Sequence, residues 1–356
     1  MSNSAPMAFM LAGGTGGHVY PALALAEELR ERGFRLRWIG SRRGLEARVV
    51  TAAHIPLHQL PMRGLRGKGG WQQFVALVLL GASLVWSLLL MLRYRPALVV
   101  GMGGYASVPA AIAAWLTRRP ILLQEQNAVA GSANRALGRF ARAIATGFPG
   151  VLTERGKATY LGNPVRSDLV SVAEEQPWQW SGERPLRVLV LGGSLGARPL
   201  NEGVPLVAAS FGERCHWWHQ CGNEHEEAAR SAYASVKHWR VDPFLEDMAG
   251  AYAWADLVIC RAGALTVAEL AATGRPAILV PLPHAIDDHQ RANARFLADA
   301  KAGVMLEQNV LRDELPAHLA RFLEDPAILE AMAEQSLHCG RPRATRDIAD
   351  LAEGLL

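Results

Sequence analysis

Three glycine clusters constrain the fold of this chain more than any other feature of its sequence. They occupy residues 13–17, 101–104 and 192–196, and each follows a short apolar run and precedes a helical pattern. Glycine lets the backbone turn sharply and approach a ligand closely. The amides at the start of a helix suit a phosphate group. One such loop is a weak signal, but three strand–glycine–helix arrangements indicate an α/β protein that binds phosphate.

The same order of strand and helix recurs along both halves of the chain, which is typical of parallel sheets with crossover helices. In the first half we predict strands at 8–12, 35–39, 97–100, 121–124 and 143–146, the last two closing the sheet, and helices at 18–32 and 105–116. In the second half we predict strands at 187–191, 215–219, 257–260 and 277–280. This pattern predicts two Rossmann-like domains with parallel sheets, facing a deep cleft.

The domain boundary is predicted at Gly162, Asn163 and Pro164. The chain has 356 residues, which suits two domains, and its charge changes sign at this point. Residues 1–163 carry 19 Lys and Arg against 6 Asp and Glu, whereas the remainder carries 18 against 27. We therefore expect an N-terminal domain at 1–163, a C-terminal domain at 164–340, and a C-terminal helix at 341–356 that packs back on the first domain.

The basic first half predicts an anionic partner, such as lipid headgroups or a pyrophosphate, with a merely solvated basic face as the alternative. Nucleic acid is disfavoured because no recognised binding motif accompanies the charge. The chain has four cysteines and no charged, signal-like start, which indicates a reducing compartment and hence the cytoplasm.

An uncharged apolar segment runs from Gly69 to Leu92, and its length alone would span a bilayer. Polar residues interrupt it, and basic residues flank both ends, so neither end is marked for translocation. We interpret it as a mostly buried helix whose exposed apolar edge, around Phe74–Leu92, docks on an anionic membrane surface. A plain core helix and a true span are the alternatives. The neighbouring basic residues are Arg63, Arg66, Lys68, Arg93 and Arg95.

A fourth element runs from Cys260 through a small-residue turn into a helix that contains Glu269. The amides of Ala264 and Leu265 would lie at the N-terminus of this helix, where they suit a diphosphate. The Glu269 carboxylate could accept both hydroxyls of a ribose, or it could simply complement the helix dipole. Polar residues that suit a sugar follow further along the chain: His284, Asp287, Asp288, His289, Gln290 and Asn293.

A nicotinamide enzyme is the obvious competitor for such loops. None of the three clusters has the Gly-x-Gly-x-x-Gly spacing of the dinucleotide fingerprint. No acid for a ribose diol follows the second predicted strand, although Ser41 and Arg42 could hold a 2′-phosphate. An NADP enzyme therefore stays an alternative.

Taken together, these motifs resemble the MurG family of peptidoglycan glycosyltransferases over nearly the whole chain. The matching motifs are Gly-Gly-Thr-Gly-Gly-His at 13–18, Gly-Gly-Tyr at 103–105, Glu-Gln-Asn at 125–127, Gly-Asn-Pro-Val-Arg at 162–166, Gly-Gly-Ser at 192–194, Gly-Ala-Leu-Thr-Val at 263–267, Glu269, Gln290 and Asn293. The family often has His where this chain has Gln124, which weakens any role for that position.

The resemblance implies a GT-B fold and an inverting transferase that moves N-acetylglucosamine from UDP-GlcNAc to the 4-hydroxyl of MurNAc in lipid I, which is undecaprenyl-pyrophosphoryl-MurNAc-pentapeptide. The product would be lipid II, made at the cytoplasmic face of the plasma membrane. It further implies a donor site at Thr15, Gly16, Gly17, Asn127, Arg166, Ser194, Leu245, Ala264, Leu265, Thr266, Val267, Ala268, Glu269 and Gln290. The acceptor pyrophosphate would lie at Gly14, Gly103, Gly104 and Tyr105.

His18 is our candidate for the general base, because a neutral imidazole titrates near working pH; a capping or phosphate-binding role is the alternative. Glu125 is the reserve candidate, since we expect an acid among apolar neighbours at this position. We expect no cofactor and no metal, since GT-B enzymes usually need none. Three rivals remain at this stage: a UDP-sugar epimerase on the same fold, a non-catalytic donor-binding subunit, and the NADP enzyme.

Overall fold

A computed structural model of the chain describes residues 5–14, 16–41, 45–62, 70–283 and 288–356, and for residues 70–74 it describes only the backbone. The chain divides into two compact units. Unit 1 contains residues 1–164 and 343–356, and unit 2 contains residues 165–342. The division therefore follows Pro164, next to the change of charge sign along the sequence.

In its described part, unit 1 has one parallel sheet of seven strands in the order β3-β2-β1-β4-β5-β6-β7. Most of these strands are short apolar runs buried on both faces, as expected of a parallel sheet covered by helices. Their bounds are β1 Met7–Leu11, β2 Arg35–Ser41, β3 Leu57–Leu60, β4 Leu98–Gly101, β5 Ile121–Glu125, β6 Ala143–Thr146 and β7 Ala158–Tyr160.

Among the described residues of unit 1, five helices lie between these strands: α1 Gly16–Glu31, α2 Leu45–Ala52, α3 Gly70–Tyr94, α4 Val108–Leu116 and α5 Ser132–Leu137. The predicted helix at 105–116 begins with a separate 3₁₀ turn, Tyr105–Ser107, before α4. Pro109 lies at the start of α4, where its missing N–H costs no helical hydrogen bond.

Helix α3 corrects our interpretation of the apolar segment. The segment does form a helix, but only 28% of its Val75–Tyr94 stretch is buried, so the prediction of a mostly buried helix is wrong. The buried residues are the small Ala76, Ser83 and Ser87, joined near the end of the helix by Leu90 and Met91, while other large apolar residues face outward. By length and composition alone, this helix could cross a membrane.

In its described part, unit 2 has a six-stranded parallel sheet in the order β10-β9-β8-β11-β12-β13. The strands are β8 Leu186–Leu191, β9 Cys215–Gln220, β10 Trp239–Asp242, β11 Leu257–Cys260, β12 Ala277–Leu279 and β13 Gly303–Met305. The helices are α6 Ser167–Glu175, α7 Arg198–Ala208, α8 Glu226–Ala232, α9 Met248–Trp254, α10 Ala264–Thr273, α11 His289–Asp299, α12 Leu311–Glu324 and α13 Ala327–Cys339.

The last helix, α14 (Ala344–Glu353), belongs to unit 1 although it follows unit 2 in the sequence. Its buried face, which includes Ile348 and Ala352, joins the apolar core around β1 and α1. Arg32 at the end of α1 makes ion pairs with Asp350 at 2.6 Å and Glu353 at 2.8 Å.

The predicted strands are all present with shifts of one or two residues at their ends, but the sheets are wider than predicted. Four short strands were missed: Leu57–Leu60, Ala158–Tyr160, Trp239–Asp242 and Gly303–Met305. All four lie at sheet edges, so the expectation that the strand at 143–146 closes the first sheet is wrong.

Candidate functional site

The strand order identifies one topological switch point in each sheet, between β1 and β4 in unit 1 and between β8 and β11 in unit 2. Chain connections leave a switch point in opposite directions, which opens a crevice at the carboxyl ends of the strands where ligands bind. The loops after these four strands begin at Ala12, Met102, Gly192 and Arg261. They are the three glycine clusters and the fourth element of the sequence.

In unit 1, the loop after β1 is held by a carboxylate that the sequence did not single out. Glu46 on α2 is fully buried and accepts hydrogen bonds from the Gly14 amide at 3.2 Å, the Ser41 amide at 2.8 Å and the Ser41 hydroxyl at 2.7 Å. A Cβ on Gly13 would lie 2.6 Å from Oε1 of Glu46, so any larger residue there would have to displace this carboxylate. The Gly14 amide is thus directed at Glu46. Gly16 and Gly17 begin α1, and Thr15 lies outside the described residues.

The loop after β4 lies beside the loop after β1. Gly103 and Gly104 have φ values of +83° and +78°, which side chains rarely adopt. The Ser107 hydroxyl donates to both of their carbonyls, at 3.0 and 2.8 Å, and so fixes the turn. Tyr105 is 46% exposed at the start of the following 3₁₀ turn. A Cβ on Gly104 would lie 3.6 Å from Cδ2 of His18, which places the imidazole against this second loop.

His18 is half-buried in the first turn of α1. Its Nδ1 lies 3.1 Å from Oε1 of Gln126, a residue that follows β5 and is only 2% exposed. His18, the predicted general base, therefore lies between the two glycine loops and the buried side-chain amide of Gln126. The sequence analysis included Gln126 in the Glu-Gln-Asn motif at 125–127 but assigned it no role.

The Glu125 carboxylate at the end of β5 is surrounded by N–H donors. It accepts from the amides of Asn127 and Gly131, both at 3.0 Å, and from the Asn134 side chain at 2.9 Å. The Asn127 side-chain amide is also within 3.4 Å. Our expectation of apolar neighbours around Glu125 is thus wrong, because N–H groups of residues 127–134 surround its carboxylate. With its oxygens engaged in this way, Glu125 is better suited to hold the loop than to abstract a proton.

Unit 2 contains a cavity of about 700 Å³ at its own switch point. Its walls come from the ends of several strands and the helices that follow them. The lining residues are Leu191, Gly192, Gly193, Gly196, Ala197, Arg198, Pro199, Gln220, Met248, Tyr252, Arg261, Gly263, Thr266, Glu269, Leu282, Pro283, Gln290 and Gln308. A cavity of this size suits a small-molecule ligand.

The glycine loop after β8 forms one wall of this cavity. Gly193 and Gly196 have φ values of +82° and +77°, and a Cβ on Gly192 would lie 2.7 Å from the Ala197 amide, so the loop accommodates only glycine at its tightest points. Ser194 lies exposed in the same loop, between lining glycines. The loop backbone, rather than side chains, makes this wall.

The N-terminus of α10 forms the opposite wall. Gly263 is the extended N-cap residue and lines the cavity together with Thr266. Ala264 and Val267 are buried, and Leu265 and Ala268 are half-buried, so these four residues contribute chiefly through the backbone. The amides of a first helical turn and the positive end of the helix dipole make this a suitable place for an anionic group.

Glu269 lines the same cavity, two turns into α10, and its Oε2 accepts a hydrogen bond of 2.9 Å from the buried Tyr252 hydroxyl. Burial raises the pKa of Glu269 to about 7, although the Tyr252 hydrogen bond and the nearby Arg166 both act to lower it. Arg166, the N-cap residue of α6, is thereby placed near Glu269 and also pairs with Asp168 at 3.4 Å. Glu269 can therefore change its charge near neutral pH.

Two polar side chains at the mouth of this cavity are held by neighbouring groups. The Gln290 Oε1 accepts from the Leu282 amide at 2.9 Å. Arg261 donates to Gln308 at 2.6 Å and to the carbonyls of Val280 and Pro281. Leu245 is buried before α9 and does not line the cavity, whereas Met248, at the start of α9, does.

Sequence reasoning missed several residues that line the cavity, among them Gln220, Met248, Tyr252, Arg261 and Gln308. Three of these five follow or end a strand, and such positions meet at one edge of a parallel sheet, so that signal was available. Tyr252 and Met248 lie on a short helix and gave no local signal. Among the described residues, no group of three or more His, Cys, Asp or Glu is placed to hold a metal ion.

Comparisons with known proteins agree with this geometry. The profile of the glycosyltransferase family 28 N-terminal domain matches residues 8–146, and that of the family 28 C-terminal domain matches residues 187–353. A transferase of Alkalilimnicola ehrlichii is 53% identical over 96% of both chains; its name is UDP-N-acetylglucosamine–N-acetylmuramyl-(pentapeptide) pyrophosphoryl-undecaprenol N-acetylglucosamine transferase.

Solved structures are similar over almost the whole chain. The structure of MurG from Acinetobacter baumannii has a TM-score of 0.83 and 36% identity, covering 98% of this chain and 99% of that one. A UDP-GlcNAc 2-epimerase from Neisseria meningitidis, bound to UDP-GlcNAc, has a TM-score of 0.67 but only 12% identity, covering 97% of this chain and 98% of that one. The second likeness shows the fold alone.

Proposed function

We propose, from the premise that this chain belongs to glycosyltransferase family 28, that it transfers N-acetylglucosamine from UDP-GlcNAc to lipid I and forms lipid II. The transferase from Alkalilimnicola ehrlichii, 53% identical, is named for this reaction. The acceptor is a lipid-linked MurNAc-pentapeptide pyrophosphate, and its 4-hydroxyl receives the sugar.

The cavity of unit 2 carries this proposal. It combines a glycine loop, a helix N-terminus and a carboxylate, which are the groups that a nucleoside diphosphate requires. We assign the diphosphate to the amides of α10 around Ala264 and Leu265, with Ser194 and Arg166 as further donors. Glu269 would accept the ribose hydroxyls, Gln290 would contact the sugar, and the backbone near Leu245 would meet the uracil.

The reaction inverts the anomeric carbon. The acceptor oxygen forms a bond to C1 of N-acetylglucosamine while the bond from C1 to the diphosphate oxygen breaks and UDP departs. The proton of the attacking hydroxyl passes to Nε2 of His18, which acts as general base. Negative charge that develops on the leaving diphosphate is stabilised by the N-terminus of α10 and by Arg166.

Gly103, Gly104 and Tyr105 remain our candidates for binding the acceptor pyrophosphate. Gly14 was also predicted to bind this pyrophosphate, but its amide already donates a hydrogen bond to Glu46.

A transfer assay tests this function directly. Purified protein is incubated with radiolabelled UDP-GlcNAc and a chelator, with and without a lipid I analogue. We expect label in the lipid fraction only when the analogue is present. If UDP binds but no label is transferred, an epimerase or a donor-binding subunit becomes the better interpretation. If UDP does not bind, the donor site is wrongly assigned.

We further propose that unit 1 docks on an anionic membrane surface through α3. Along this helix, large apolar side chains are exposed, including Leu77 at 58%, Val85 at 58% and Leu89 at 54%. Two exposed arginines lie at its end, Arg93 in the last turn and Arg95 just after the helix. Apolar side chains bordered by basic residues suit the interface of an anionic bilayer. The other basic residues of the prediction, Arg63, Arg66 and Lys68, lie outside the described residues, as does the Phe74 side chain.

Replacing Val85 and Leu89 together by aspartate is expected to weaken binding to phosphatidylglycerol vesicles about tenfold or more, because two apolar side chains are lost from the interface. Sedimentation with vesicles measures the bound fraction. Binding of the unmodified protein should also fall as salt rises. Leu206→Asp is the matched control, since Leu206 is 60% exposed on α7 in unit 2. Equal losses in the control and the double variant would contradict docking through α3.

A further inference from the structure

The side-chain amide of Gln126 bridges a backbone carbonyl and the imidazole of His18. Its Nε2 donates to the carbonyl of Gln124 at 3.4 Å, and its Oε1 lies 3.1 Å from Nδ1 of His18. Reversing the amide would place an oxygen against the Gln124 carbonyl, and two acceptors repel each other. The orientation therefore directs an acceptor at Nδ1, which must carry the hydrogen.

A buried network of amides holds Gln126 in this position. The Asn163 side chain donates to the backbone carbonyl of Gln126 at 2.9 Å, and the Gln124 side chain donates to Oδ1 of Asn163 at 2.9 Å. The Asn134 side chain donates to the Gln124 carbonyl at 3.1 Å. All four side chains are at most 3% exposed. Buried, mutually bonded amides are costly to rearrange, so this network fixes the Gln126 backbone and the Gln124 carbonyl to which the Gln126 side chain donates.

We propose that Gln126 is a positioning residue that holds neutral His18 in the tautomer with hydrogen on Nδ1 and a lone pair on Nε2. The free lone pair is what a general base needs. Nε2 lies near Gly104, 3.9 Å from where a Cβ of that residue would stand. Glycine at 104 thus leaves this edge of the ring without a covering side chain. Gln126, rather than the neighbouring Glu125, therefore positions the general base His18.

The tautomer itself can be measured without any enzymatic assay. In ¹⁵N spectra of imidazole-labelled protein, the His18 signals, assigned by their loss in His18→Ala, should show a protonated Nδ1 and an unprotonated Nε2 at a pH where the ring is neutral. In Gln126→Leu, which removes the acceptor, the population should shift toward hydrogen on Nε2. Gln126→Glu, as the protonated acid, can donate to the Gln124 carbonyl and still offer an acceptor to Nδ1, so in that form it should keep the tautomer. A wild-type ring protonated on Nε2, or a Leu variant with an unchanged spectrum, overturns the proposal.

The kinetic test rests on the proposed function and separates positioning from a general structural role. Gln126→Leu should lower kcat about 10- to 100-fold, with KM for UDP-GlcNAc changed less than about twofold. In the His18→Ala background the same substitution should cause no further loss, because its effect passes through the imidazole. Losses that multiply in the double variant would show that Gln126 acts independently of His18. A protein that shows the expected spectra but no transfer would instead refute the proposed function and leave the tautomer assignment intact.

Discussion

Replacing His18 by alanine is expected to lower turnover by a factor of about 10² to 10⁴, because the acceptor hydroxyl loses the group that takes its proton. The affinity for UDP-GlcNAc should change less than about twofold, since the proposed donor cavity is lined by residues of unit 2 whereas His18 belongs to unit 1. Single-turnover transfer to a lipid I analogue and calorimetric binding of UDP-GlcNAc measure the two quantities separately.

His54→Asn is the matched control for His18→Ala. His54 is an exposed histidine of the same unit with a φ of +55°, a backbone conformation that asparagine tolerates. Its activity should remain that of the unmodified protein. Normal turnover in His18→Ala would remove His18 as the base. Loss of both turnover and UDP-GlcNAc affinity would indicate instead that His18 serves donor binding or folding.

The prediction of two Rossmann-like domains of the GT-B type is confirmed by the two parallel sheets and by the MurG likeness. The fold could be predicted from the sequence because each glycine cluster directly follows an apolar run and directly precedes a helical pattern. The signal is therefore local in the sequence. The edge strands Leu57–Leu60 and Gly303–Met305 were not accessible. They are three or four residues long, too short for a period to show, and they form only because an inner strand supplies their hydrogen bonds.

The parts of the site that depend on tertiary contacts were also beyond the sequence. Glu46 reads as an ordinary acid in the first turn of a helix, yet it accepts from Gly14 and from Ser41, 32 and 5 residues away. The apolar segment of α3 misled us for a related reason. It is apolar around most of its circumference, so hydropathy alone cannot tell which face packs inward. The buried face has small residues at Ala76, Ser83 and Ser87, and α3 packs against α4.

Donor binding is expected to depend on pH because Glu269 changes its charge near neutrality. Burial raises its pKa to about 7, so the ionised fraction rises from about a tenth at pH 6 to about nine tenths at pH 8. The carboxylate accepts two ribose hydroxyls, whereas the protonated acid must use one oxygen as a donor. Affinity for UDP-GlcNAc should therefore increase as pH rises through 7, and Glu269→Ala should lower it about 10²-fold at pH 8.

The measurement should use UDP-GlcNAc rather than UDP, because the terminal phosphate of UDP itself titrates near pH 6 and would mask the effect. Glu269→Gln should bind weakly with no inflection near pH 7. Tyr252→Phe provides a sharper comparison: the Tyr252 hydroxyl lowers the pKa of Glu269, so its removal should move the inflection to higher pH. An affinity of the unmodified protein that stays flat between pH 6 and 8 would contradict the assignment of the ribose to Glu269. A Tyr252→Phe inflection at lower pH would show that the hydroxyl does not stabilise the carboxylate.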